Sequence, residues 1–419
     1  MWVASCRNRP GSVSVQEAVR RLAPVIIFLL AGCQSTTSLP AGSSSRSATP
    51  SSVPSTSAST PLTSPVVVVA NVVDQTHYTV TLADIDGHPV AQASASPGDQ
   101  DPVPFPGSAA AGTPSGMADP GVHLVSFTLP RLPNAGVCCD AFLPTLSTSK
   151  SRVYFPDGLT AVRFLGRDGS TGTAVSLPNV AHRARAIFAV SPDDQRIAVS
   201  VFDWSTRPMK MRIYVEDVTG GGHHVEIFSS TSLYEWPVGW HDGKLVLGGG
   251  PALGGAPNPY AASWYHLVDA TTGSRIAVLG GDDCPAVGPL SVAGTACIAA
   301  GCHCIEAVDW SGSRRPTYVY NDPSESNWAA LSPDGHAVIF GEIYGARTGA
   351  GVWRDGTITW MKGYDQTVPR AQWLDDLHTL VSTCSAGGDQ CIGIQTLANQ
   401  AVVQVQVAGG LAGTLPGGL

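Results

Sequence analysis

A tight polar turn between two apolar runs recurs along this 419-residue chain at intervals of forty to fifty residues, and no other feature limits its fold so strongly. The clearest copies are Val190-Ser191-Pro192-Asp193-Asp194 leading into Ile197-Ala198-Val199, and Leu331-Ser332-Pro333-Asp334-Gly335 leading into Ala337-Val338-Ile339-Phe340. Weaker copies start at Leu146, Trp240, Leu290 and Trp373, so the six starts lie 44, 50, 50, 41 and 42 residues apart. Proline presets φ at the second turn position, and Asp and Gly accept the conformations that follow, so each copy predicts two strands joined tightly. A second landmark, an Asp-containing turn, follows at Asp84-Ile85-Asp86-Gly87, Arg167-Asp168-Gly169, Asp217–Gly220, Asp269–Gly273, Asp309–Gly312 and Asp355-Gly356, with a degenerate seventh at Asn399-Gln400. Seven such turns beyond Pro65 give about 51 residues per unit, close to what a four-stranded antiparallel unit needs. The 46 Gly and 32 Pro interrupt helices, which excludes an all-α chain and points to an all-β one.

The Ser-Pro-Asp-Gly turn, intact at 332–335 and nearly so at 191–194, resembles the repeats of TolB-type and WD-like β-propellers over most of residues 140–400. The resemblance implies a β-propeller over 66–419, with seven blades of four antiparallel strands, or six in the alternative count. Six blades stay open because residues 66–130 contain strand-like runs (Val66–Ala70, Tyr78–Leu82, Val122–Leu129) but no good copy of the first turn. With seven, the first blade is closed by strands from both ends of the chain, which leaves no long sheet edge exposed. Residues 96–120, rich in Pro, Gly and Ala, then form a surface excursion. Trp240 and Trp373 fall before the turn, and Trp236 and Trp328 just upstream, where blades pack; Trp204 and Trp264 lie outside that pattern and are freer to bind a ligand.

The first 32 residues read as an address. Arg7, Arg9, Arg20 and Arg21 precede an 11-residue apolar run, Leu22–Gly32, too short to span a bilayer and shaped like a secretory signal. Leu30-Ala31-Gly32-Cys33 resembles the lipobox of bacterial lipoproteins, and that resemblance implies diacylation of the Cys33 thiol and cleavage before it. Membrane attachment through a lipid on Cys33, and an extracytoplasmic location, follow as expectations. Between Gln34 and Pro65, Ser, Thr and Pro fill 23 of 32 positions, so residues 33–65 are a tether too polar to offset the entropy of ordering. Four arginines and one glutamate leave with the first 32 residues, taking the formal charge from −8 to −11. A body so acidic is not expected to bind nucleic acid.

Eight cysteines remain beyond Cys6 and Cys33. Cys384 and Cys391 flank Gly387-Gly388, so a two-residue turn there sets them opposite each other. Cys297 and Cys304 flank Ala300-Gly301 with the same arithmetic, so both pairs are candidate cross-strand disulfides. Cys302, Cys284, Cys138 and Cys139 are left without an assigned pairing. Cys302-His303-Cys304 lacks the two-to-four-residue spacing of zinc knuckles, and His223-His224 reads as an exposed loop pair, so neither a metal nor a cofactor is expected. No Gly-x-Ser-x-Gly, His-Glu-x-x-His or phosphate-binding glycine loop occurs. The expectation is therefore a monomeric binding scaffold for a protein or an envelope polymer, with the TolB resemblance implying a place in an envelope complex. The 20 Arg against four Lys supply forked donors for carboxylates on such a partner. The alternative is an enzyme, hydrolase or lyase, that uses the central funnel.

Overall fold

The computed structural model describes residues 64–96 and 146–419, apart from segments 178–183, 204–207, 252–261, 300–303, 320–325, 343–348, 363–370 and 383–391 and positions 75, 209, 263, 282 and 285. The described residues belong to one compact unit, Leu62–Leu419. They form 28 strands in seven four-stranded antiparallel sheets, a seven-bladed β-propeller. Blade I holds β1 (Val66–Val72), β2 (Tyr78–Ala83) and β3 (Pro89–Ala95), with β28 (Gly410–Leu415) as its innermost strand. Blade II is β4–β7 (Ser147 to Ser176), blade III β8–β11 (Ala184 to Ser230) and blade IV β12–β15 (Leu233 to Gly280). Blade V is β16–β19 (Ala286 to Val319), blade VI β20–β23 (Ser326 to Trp360) and blade VII β24–β27 (Gln372 to Gln404).

Ring closure explains the count left open by the sequence. The first kind of turn joins the inner strand of a blade to the second, and in blade I those strands are β28 and β1, which come from opposite ends of the body and share only a ladder, Val66↔Leu415 to Ala70↔Gly410. Six such turns therefore serve seven blades. The second kind joins third to outer strands, and all seven are present. Expectations for Val122–Leu129 and for 96–120 fall outside the described residues, except for Ser96.

Seven apolar clusters fill the seven seams between blades. Val66 and Val68 face blade II with Val153, Phe155 and Leu165, whereas Val67 and Val69 face blade VII with Leu380 and Ile394. Both faces of β1 are buried, so its sequence is an unbroken valine run where a strand with one wet face would alternate. Polar groups cross the same seams. Trp240 on β12 donates its indole N–H to Ala189 O on β8 at 3.1 Å, and Trp373 on β24 does the same to Ala330 O on β20 at 2.9 Å. The arginines are used here too: Arg196 reaches Gly243 O, Arg315 reaches Gly335 O and Arg354 reaches Asp376 O, each from one blade to the next.

Turn chemistry repeats with the sequence. Ser191 Oγ accepts from Arg196 N–H at 2.9 Å, and Ser332 Oγ accepts from Ala337 N–H at 2.8 Å. Gly335 sits at φ 73°, and the same slot in the earlier copy is Asp194 at φ 61°. Asp194 accepts that less favoured conformation while receiving Tyr154 Oη at 2.9 Å and Ser151 Oγ at 3.1 Å from blade II.

Two outcomes follow. Gly288 on β16 lies so close to blade VI that a Cβ there would collide with the Ala329 carbonyl, so Gly288→Ala should lose about 3 kcal/mol in urea unfolding. Ser170, Ser191 and Ser311 each donate to the turn aspartate, Asp168, Asp193 or Asp309, at 2.6 Å and hold these carboxyls below the usual range. Backbone N–H groups of Thr271 and Thr272 hold Asp269 at about 2. Groups depressed in the fold stabilise it above their unfolded value, about 3.9, and that contribution disappears as pH falls through the folded values. The thermal midpoint should therefore be level from neutrality to about pH 4.5 and fall steadily between pH 4 and 2.

Candidate functional site

Antiparallel order divides the strand connections between two rims, and they are unequal. On one rim, every inner-to-second and third-to-outer connection spans two to seven residues, the tight turns described above. Second-to-third and blade-to-blade connections leave from the other rim, and four of them run to 9, 11, 12 and 51 residues, after β25, β23, β13 and β3. Long connections between the elements of a rigid scaffold are where recognition residues usually lie.

Among the described residues, the most deeply buried acid–base pair on that side belongs to blade IV. Glu235, on the innermost strand β12 and 2% exposed, takes a 2.7 Å hydrogen bond from Nδ1 of His266 on β14, itself 6% exposed. The two meet across β13 (Lys244–Pro251) where that strand reads Gly248-Gly249-Gly250, and a Cβ on Gly249 would lie 3.2 Å from Glu235 Cγ and 2.5 Å from Trp264 Nε1. Glycine at 249 therefore makes the crossing possible. Arg275 Nη2 stands 4.0 Å from the same carboxylate oxygen. Glu235 is fixed further by its own backbone, whose carbonyl accepts from Ser200 Oγ at 2.9 Å and whose N–H points at Met211 Sδ at 3.1 Å. The Trp264 ring stacks on His266 at 6.0 Å between centroids, and the indole nitrogens of Trp264 and Trp236 are enclosed with no hydrogen-bond partner. This arrangement holds an imidazole by its Nδ1, the orientation used to present Nε2 to a proton or a ligand.

None of these residues was singled out from sequence as an acid–base pair, because 31 positions separate Glu235 from His266. Trp264, expected to be free for a ligand, is half-buried with its nitrogen enclosed. The candidate positions Cys33, Cys384 and Cys391, like Cys138, Cys139, Cys302 and Trp204, lie outside the described residues. The expected Cys297 to Cys304 bridge is corrected: Cys297 is bonded to Cys284, with Cα atoms 5.7 Å apart. The reason is register. Strands β17 (Gly294–Ala299) and β18 (Cys304–Val308) are joined by four residues, not a two-residue turn at 300–301, so Cys304 faces Ala299 and Cys297 faces Glu306. His223 and His224 sit at the outer β10–β11 turn, away from any axial position, and bond Asp217 and Glu216 respectively at 2.9 Å. Glu216 and Asp217 are adjacent on β10 and alternate faces, so the two imidazoles are held by carboxylates on opposite sides of the strand. Among the described residues no three His, Cys, Asp or Glu side chains are grouped to hold one ion.

No protein-family model and no curated protein matches the chain. Solved structures similar to it include TolB from Acinetobacter baumannii, 16% identical over 61% of this chain and 62% of that one, with a TM-score of 0.32. An oligogalacturonate lyase from Vibrio parahaemolyticus is 11% identical over 59% of this chain and 74% of that one, at 0.41. An acylaminoacyl peptidase from Pyrococcus horikoshii is 11% identical over 82% and 50%, at 0.43. At such distances the likeness is one of architecture, and the class defined by the fold is the seven-bladed β-propeller.

The buried pair can be tested by removing one member. His266→Leu leaves Glu235 enclosed without its donor and should lose about 3–5 kcal/mol in urea unfolding, while Glu235→Leu combined with His266→Leu should recover most of that. A double variant no more stable than the single one would show that the pair is not the source of the loss.

Proposed function

We propose that this chain is an extracytoplasmic propeller held at a membrane by diacylated Cys33, and that its long-loop rim binds a protein or an envelope polymer. The observation that carries the reading is the inequality of the rims, with connections of 9 to 51 residues all on one side of a ring whose other side is drawn tight. Leu30-Ala31-Gly32-Cys33 and the Ser/Thr/Pro-rich stretch after it support the anchor, since a lipidated domain needs a spacer between bilayer and fold. A hydrolase or lyase is the second reading, favoured by the Glu235–His266 pair, and it requires a substrate path to His266 Nε2.

Replacing Cys33 with Ser should release the body into the soluble fraction and abolish incorporation of a labelled fatty acid. A variant that stays with the membrane would remove the anchor from this account. Photo-crosslinkers placed in the 252–263 and 363–370 connections of the anchored protein should capture a partner that the same probes at the tight turns 167–170 and 355–356 do not.

A further inference from the structure

The tight rim holds a second recognition feature that the anchored-scaffold reading does not use. After β28 the chain continues as Pro416–Leu419 along the tight turns of the neighbouring blades. Gly417 N–H donates to Ser149 O in blade II at 2.6 Å, and Gly418, at φ 102°, packs against Pro192 in blade III. Leu419 N–H donates to Trp240 O at 2.9 Å, and the Leu419 main-chain oxygen accepts from His241 Nδ1 at 2.8 Å. Its half-buried side chain packs against the apolar cluster in the seam between blades IV and V, as do Val238, Leu290 and Trp310. The floor of that seat is Gly239, where a Cβ would lie 2.7 Å from Leu419 Cδ1. His241, which bonds the Leu419 main chain, is itself held by the Trp310 ring, stacked on it at 4.1 Å with 12° between planes and fixed by its own N–H to Val292 O at 2.8 Å.

This is the anatomy of a peptide site: a donor and an acceptor for one residue's main chain, a side-chain seat with a glycine floor, and an aromatic ring that fixes the donating imidazole. The approach path is as selective as the seat. Cβ atoms at 417 and 418 would run into Thr148 and Pro192, so glycines must precede the aliphatic residue. We propose that the tight rim is a peptide-binding site for an extended Gly-Gly-aliphatic segment of a protein partner, and that Gly417–Leu419 is its resident, exchangeable occupant. A covalently attached occupant enjoys a high effective concentration, so a partner segment competes well only once the resident is displaced or weakened.

The probe is the acetylated, amidated peptide Leu-Pro-Gly-Gly-Leu, read by intrinsic tryptophan fluorescence, since Trp310 stacks on the His241 that bonds the seated residue. A chain ending at Pro416 that retains the β circular-dichroism signal should bind it saturably, and the full chain at least about tenfold more weakly. Gly239→Val in the shortened chain should abolish that binding. A folded shortened chain without a saturable response, or a Gly239→Val variant that binds equally well, overturns the proposal. Should the shortened chain fail to fold, Leu419→Gly in the full chain empties the seat while keeping both main-chain bonds. It should bind the peptide more tightly than the unaltered protein, and an unchanged response overturns the proposal.

Discussion

The ladder between β28 and β1 carries the rest of the molecule. A ring of blades has no intrinsic end, and an unclosed one would expose two sheet faces, each as apolar as a protein core. Pairing Val66–Ala70 with Gly410–Leu415 makes blade I out of strands separated by more than 300 residues, and only then does every seam have two sides. The valines of β1 then bury one face against blade II and the other against blade VII. Closure of this kind costs loop entropy before it gains any burial, so the seam contacts are cooperative with it.

Around that closure the seams share a small set of devices. An indole before the first turn donates to the inner strand of the preceding blade, at Trp240 and Trp373 alike. Arginines send their forked heads to turn carbonyls of the neighbouring blade, which gives the excess of Arg over Lys an internal role, different from the carboxylate-gripping role expected on a partner's surface. Tyr154 and Tyr265 reach across in the same way, to Asp194 and to Gly288 O. Burial pushes the Tyr154 phenol up to about 12, so this donor stays protonated through the physiological range. The device at Asp194 trades local comfort for a contact, since a left-handed aspartate is less favoured than glycine but supplies the acceptor that Tyr154 and Ser151 need.

The two rims then divide the work. The tight rim is built from repeated side-chain-to-backbone hydrogen bonds and seats the chain's own Leu419. The opposite rim carries the long connections, and the start of blade IV places Glu235, His266 and Trp264 toward that side. A carboxylate so enclosed would be costly if unpaired, and the imidazole and guanidinium beside it offset that cost.

The sequence by itself determined the repeat, the all-β class and the turn positions, because a Ser-Pro-Asp-Gly turn or an Asx turn is closed by groups two to five residues apart. The tryptophans before the first turn were legible for the same reason, being tied to a repeated position. What only the tertiary structure decided involves partners whose distance along the chain carries no signal. Those are the pairing of Glu235 with His266, the strand that completes blade I and the seat of Leu419 against Gly239. The cysteines mark the boundary between the two. Spacing alone put Cys297 opposite Cys304, but the length of the β17–β18 connection moved the register by two positions, and Cys297 is bonded to Cys284, from the connection that precedes β16. Local hydrogen bonds are written in neighbouring residues, whereas register and seam contacts depend on where the whole ring brings distant strands.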